Sequence, residues 1–206
     1  MAARNRVAPS GAVVAAPGRG AWTGNRGVLH AAGGDRRIVR EFQVRRWITC
    51  QLEFRGRRIP QWAPGRYTPL FLADEAVAFA AGHRPCSECR HADAVAFRDA
   101  WAAAAGGRAP RVDAMDRVLH AQRLPVDGTH PGAWADLPDG TFVVLDAGPA
   151  VVVGDRVTPF DVGAYRYLAP AASARPRSGT VAVRTPAAVV DALRAGYVAQ
   201  VDAAAR

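Results

Sequence analysis

Two cysteines in Arg84-Pro85-Cys86-Ser87-Glu88-Cys89-Arg90 constrain this chain more than any other feature. The stretch follows the apolar run Asp74-Glu75-Ala76-Val77-Ala78-Phe79-Ala80-Ala81-Gly82, which reads as a helix with Asp74 as its N-cap and Gly82 as its stop. A Cys-x-x-Cys turn lets both sulfurs reach one ion at about 2.3 Å while backbone amides between them hydrogen-bond the thiolates, and that chemistry points to Zn2+. Cys50 is the one other cysteine. A four-coordinate ion therefore needs Cys50 plus a histidine or carboxylate, or else a water that leaves the metal open for chemistry.

At 206 residues, half of them apolar, the chain can bury a core without disulfides. Three cysteines, with one pair in chelate spacing, fit a reducing cytoplasm better than a secreted disulfide framework. No segment approaches the roughly 18 apolar residues of a membrane span, and the first residues lack a charged-then-apolar signal pattern, so no membrane association and a cytoplasmic location are expected. The net charge is +9, and all 27 basic residues are arginine. The guanidinium fork suits phosphate and base edges, as a nucleic-acid partner requires. A GC-rich genome also accounts for the choice of arginine over lysine, but not for the excess of positive charge.

Residues 1–20 are rich in Gly, Pro, Ala and Arg without periodicity and read as a flexible arm. Val28-Leu29-His30 and Arg37 to Phe42, joined by Gly33-Gly34-Asp35, read as a hairpin. Arg46 to Phe54 reads as a strand with Ile48, Cys50, Leu52 and Phe54 on one inward face. Helices are expected from His91 to Trp101 and from Val112 to Arg123, followed by short strands at Thr141 to Leu145, Ala150 to Val153, Arg156 to Pro159 and Thr180 to Arg184. A closing helix spans Pro186 to Gly196 with Val189, Val190 and Leu193 as its stripe.

The block from Asp74 to Cys89, with Gly82-His83-Arg84-Pro85-Cys86-Ser87-Glu88-Cys89 at its end, resembles the second half of the Ada-type metal-binding domain. Gly24-Asn25-Arg26-Gly27-Val28-Leu29-His30 is more loosely similar to a segment of stand-alone relatives of that domain. The resemblance is specific only around residues 74–90 and says nothing about residues 91–206. It implies zinc on Cys86 and Cys89, Cys50 in the rough position of one earlier cysteine, and a setting in DNA repair or regulation. No second early cysteine stands near Cys50, so the four-thiolate set of that domain cannot form, and His30 is the preferred fourth ligand, with His83 and His91 as alternatives. Exchanging thiolate for imidazole lowers the nucleophilicity of the remaining sulfurs, which argues against methyl transfer.

Asp116 and His120 lie one helical turn apart, and an Asp-x-x-x-His pair can orient an imidazole for acid–base work; a solvated salt-bridge face has the same spacing. Arg36, Arg37, Arg40, Arg45, Arg46, Arg55, Arg57, Arg58 and Arg66, interleaved with Trp47, Trp62 and Tyr67, combine phosphate-pairing groups with stacking surfaces. The expectation is an α+β chain: an arm over residues 1–20, a small zinc-stabilised N-terminal module over 21–105, then over 106–206 a helical connection and a β-rich C-terminal part. The expected function is zinc-dependent contact with nucleic acid; the alternatives are a metalloenzyme acting on a small molecule and a purely structural zinc.

Overall fold

The computed structural model describes residues 2–32, 36–58, 60–123 and 128–206, without the side chains of residues 57 and 58. The architecture is mixed α/β, with two principal sheets. The first carries β1 (Arg4–Val7), β2 (Val13–Ala15), β3 (Trp22–Asn25), β4 (Ile48–Cys50), β7 (Leu70–Leu72) and β8 (Arg84–Pro85) in the order β2-β1-β7-β3-β4-β8. Within it β1 pairs with β7, and β4 with β8, in parallel; the other pairs are antiparallel. A ribbon of β5 (Glu53–Phe54) and β6 (Arg57–Arg58) stands beside it. The second sheet runs β13-β12-β11-β10-β15-β9, from β9 (His130–Ala133), β10 (Thr141–Leu145), β11 (Gly148–Val153), β12 (Arg156–Asp161), β13 (Arg166–Tyr167) and β15 (Thr180–Val183), with β14 (Ser173–Ala174) on β12.

The helices are α1 (Glu75–Ala80), α2 (His91–Ala104), α3 (Val112–Gln122) and α4 (Ala187–Arg194). All six residues of α1 are buried. Beyond Glu75 the helix is apolar on every face and belongs inside a core, and small side chains let packed elements approach it closely. Ala76, Val77 and Ala80 pack on Phe142, Val151, Phe160 and Tyr167 of the second sheet, whereas Ala78 and Ala81 pack on Leu70 and Leu72 of the first. Phe79 joins Phe97, Trp101, Leu119, Val189 and Tyr197 among the other helices. The alanine run is thus the axle on which both sheets and the helical layer turn.

Polar groups fix that axle. Asp74 caps α1 through the Val77 N–H at 2.8 Å and also accepts from the Tyr167 hydroxyl at 2.8 Å and the Asp202 N–H at 2.9 Å. Glu75 accepts from Arg90 at 2.6 Å, the Tyr197 hydroxyl at 2.9 Å and the Gln200 N–H at 2.9 Å. The Glu75 and Arg90 side chains are both 0% exposed, so each charge is stabilised by the other rather than by water.

Residues 2–20, expected as an arm, carry β1 and β2 of the first sheet instead. Val7 and Val13 are buried, Arg4 donates to the Val13 carbonyl at 3.0 Å, and the Tyr165 hydroxyl hydrogen-bonds the Val7 carbonyl at 2.8 Å. The glycines there serve close approach: a Cβ on Gly20 would stand 2.6 Å from the Leu72 carbonyl oxygen. The expected hairpin after Val28 is a single antiparallel bridge, His30 to Ile38, and its turn at Gly33-Gly34-Asp35 lies outside the described residues. The strand expected to reach Phe54 stops at Cys50, because the Gln51 N–H turns to the Cys89 sulfur, and Leu52 is exposed rather than inward.

Candidate metal centre

The thiol site follows from how α1 ends. Gly82 adopts φ +79°, its N–H bonds the Phe79 carbonyl at 2.9 Å, and the His83 N–H bonds the Ala78 carbonyl at 2.9 Å, the paired bonds of a Schellman stop. A Cβ at Gly82 would meet Arg123 Cδ at 2.7 Å, so glycine is required twice over. The reversed chain enters β8, where the Arg84 N–H bonds the Trp47 carbonyl at 3.1 Å and the Cys86 N–H bonds the Thr49 carbonyl at 3.0 Å. That parallel pairing carries Cys86 alongside Cys50. The turn to Cys89 then closes with the Arg90 N–H on the Cys86 carbonyl at 3.1 Å, and α2 begins.

The sulfurs of Cys50, Cys86 and Cys89 all lie within 4.8 Å of one another. Tetrahedral bonds of about 2.3 Å need sulfurs about 3.8 Å apart, so a small contraction brings these three onto one ion. Cys50 and Cys86 are buried and Cys89 is half-buried. The Cys89 sulfur accepts the Gln51 N–H at 3.4 Å and the Cys86 sulfur the Glu88 N–H at 3.5 Å, the backbone bonds that favour thiolate. A hydrogen bond from Cys50, with the Glu88 and Cys89 amides, lowers the Cys86 thiol to about 5. Cys50, as that donor and by burial, is pushed up, and burial also raises Cys89. Three sulfurs of this geometry can hold a soft or borderline divalent ion.

Two cavities with lining residues in common lie beside the trio. One of about 240 Å³ is lined by Cys50, Cys86 and Cys89 together with Asn25, Phe54 and Tyr67. A wider cleft of about 890 Å³ shares Asn25, Ile48, Cys86 and Glu88 with it and adds Arg46, Arg84, Arg111 and Asp116.

His30 is not in the thiol group. Its Nδ1 is 2.6 Å from the Thr68 hydroxyl and its ring packs edge-on against Trp62. His83, beside the thiols in sequence, is buried on another side, where its Nε2 accepts from Arg26 at 3.2 Å; burial and the guanidinia of Arg26 and Arg123 hold it well below the usual imidazole range. His91 is near the Ser87 carbonyl at 3.1 Å and braces the turn. Asp116 does not orient His120: its two oxygens take Arg84 at 2.8 and 2.9 Å, while His120 Nδ1 accepts from Arg123 at 2.8 Å and its ring meets Phe42.

Arg36, Arg37, Arg40, Arg45 and Arg46 are all exposed, on the segment leading into β4. Arg57 and Arg58 form β6, and their side chains lie outside the described residues. Other arginines are interior pieces. Arg26 and Arg123 stand 3.7 and 3.8 Å from the Trp47 ring centre, and Arg90 stands 4.0 Å from that of Trp22. Arg26, Arg84, Arg90 and Arg123 are buried although composition alone treats arginine as surface. Asn25, Tyr67 and Glu88 line the thiol cavity; Glu88, between the two chelate cysteines, is the one whose position in sequence pointed there. No protein-family model, no curated protein and no solved structure matches this chain.

Proposed function

We propose that Cys50, Cys86 and Cys89 hold one zinc ion and that the protein binds nucleic acid across the arginine-rich segment of residues 36–46 that leads into the site. The observation that carries the reading is the convergence, within 4.8 Å, of three sulfurs delivered by two separate segments. The pairing of β4 with β8 brings the buried Cys50 thiol to a Cys-x-x-Cys turn, and thiolate donors select zinc over magnesium or calcium. The exposed arginines supply the phosphate contacts, and the resemblance of the Asp74 to Cys89 block to Ada-type domains supports a repair or regulatory setting.

A second reading, a metalloenzyme, is favoured by the ligand count: three sulfurs and a cavity on the remaining side match a site that keeps one position for water or substrate. Zinc content of tag-free protein tests the metal. One ion per chain, lost in Cys50→Ser and Cys86→Ser, is expected; unchanged content in Cys86→Ser refutes it. Reversing Arg36, Arg37, Arg40, Arg45 and Arg46 to Glu should weaken oligonucleotide binding and flatten its salt dependence by roughly 0.7 per lost phosphate contact on single strands. Affinity unaltered at low salt removes the nucleic-acid role.

A further inference from the structure

Resting on that nucleic-acid reading, we propose that the cavity beside the thiols receives one unpaired nucleobase of a single strand, whose backbone continues along the adjoining cleft. The cavity of about 240 Å³ approaches the small end of the roughly 300–1,000 Å³ range of small-ligand pockets. Its lining has the two chemistries that a base needs. Phe54, Tyr67 and Ile48 supply an apolar, partly aromatic wall, and Arg55 stands 4.9 Å from the Phe54 ring centre as a further flat group on which a base can stack.

Asn25 and Gln51 supply amides, each offering donor and acceptor like the edge of a base. The Asn25 carbonyl oxygen accepts the Gly27 N–H at 2.8 Å, which fixes that side chain and leaves its amide hydrogens to a ligand. Arg46 lines the adjoining cleft, so the strand that leaves the cavity has a guanidinium there for its phosphate. Two of the cleft carboxylates are paired, Asp116 with Arg84 at 2.8 Å and Asp113 with Arg111 at 3.3 Å and Arg117 at 3.2 Å, while the exposed Glu88 lines both cavity and cleft and adds a negative charge that the strand must pass. A paired base inside a duplex cannot enter such a cavity, whereas an unstacked one can.

The test is fluorescence anisotropy of the zinc-loaded full chain with a labelled single-stranded oligonucleotide, its duplex, and an abasic strand of equal charge. The single strand should bind, and the abasic strand and the duplex should bind at least about tenfold more weakly. Tyr67→Ala and Phe54→Ala should each weaken single-strand binding by about 5- to 150-fold, the range of one stacked base, with Tyr67→Phe restoring it. Zinc content and circular dichroism of each variant separate lost binding from lost fold. Equal affinity for the abasic strand, or no effect of either alanine, overturns the base pocket while leaving nucleic-acid binding in place. A mononucleotide competing as well as the strand overturns the strand assignment in favour of a free nucleotide. No binding of any oligonucleotide at low salt removes the underlying reading as well.

Discussion

Burial raises Asp74 to about 6 from its ordinary 3.8, against the pull of the Val77 and Asp202 amides and the Tyr167 hydroxyl. A carboxyl whose folded value lies above its unfolded one binds more protons in the native state between those two values, so folding stability rises as pH falls through that window. Taking 6 and 3.8 as the folded and unfolded values, the full linkage is about 3 kcal/mol. Most of the rise from neutral pH falls between pH 6.5 and 4, and between pH 7 and pH 5 it amounts to about 1 kcal/mol. Asp74→Asn keeps an oxygen for the Val77 amide and removes the titration. Urea unfolding of both proteins at pH 7, 6 and 5 should therefore show the wild type gaining about 1 kcal/mol on the variant, or about 2–4 °C in Tm for a chain of this size. Other groups, including Glu75 next door, titrate in both proteins and cancel in the difference. Parallel pH profiles for the two would refute the buried-charge account of the α1 N-terminus.

Trp47→Ala should cost about 5 kcal/mol, the sum of a large buried aromatic and the faces it offers Arg26 and Arg123, and Trp47→Phe far less; guanidinium denaturation reads both. Arg90→Ala leaves the fully buried Glu75 without its cation and should destabilise by about 3–5 kcal/mol, with Arg90→Ala/Glu75→Gln recovering part of the loss in a double-mutant cycle. Gly20→Ala should lower Tm markedly because its Cβ would lie 2.6 Å from the Leu72 carbonyl oxygen; an unchanged Tm would show that the first sheet yields there.

The elements with strong periodicity or turn chemistry are legible in the chain. Expected helices lie over α1 to α4 to within a few residues, Thr141 to Leu145 is a strand as read, and the turns at Gly140 and Gly154 both take positive φ. What is not legible is most of the first sheet, β4 apart. Trp22–Asn25, Leu70–Leu72 and Arg84–Pro85 are two to four residues long and owe their strand form to distant partners, so no local pattern marks them. The thiol trio is legible because the chain has only three cysteines, and their meeting follows from the pairing of β4 with β8. His30 misleads because its place in sequence says nothing of Thr68, which lies 38 residues on and takes its ring nitrogen. The buried arginines mislead for a like reason: a guanidinium over the Trp47 or Trp22 ring and bonded to carbonyls or carboxylates is stable inside, and those rings lie far off in sequence.

The bond from the Tyr165 hydroxyl to the Val7 carbonyl spans 158 residues, and Arg184 reaches the Ser10 carbonyl across 174. The first sheet therefore completes these bonds only with the last quarter of the chain, and the face of α1 carrying Ala76, Val77 and Ala80 lacks its full cover until Phe160 and Tyr167 have been made. The loop from Cys50 to Cys89 closes far earlier and at less entropic cost. Nascent chains stalled before residue 160 should thus bring the three thiols together while still soliciting a chaperone for the unmet face of α1.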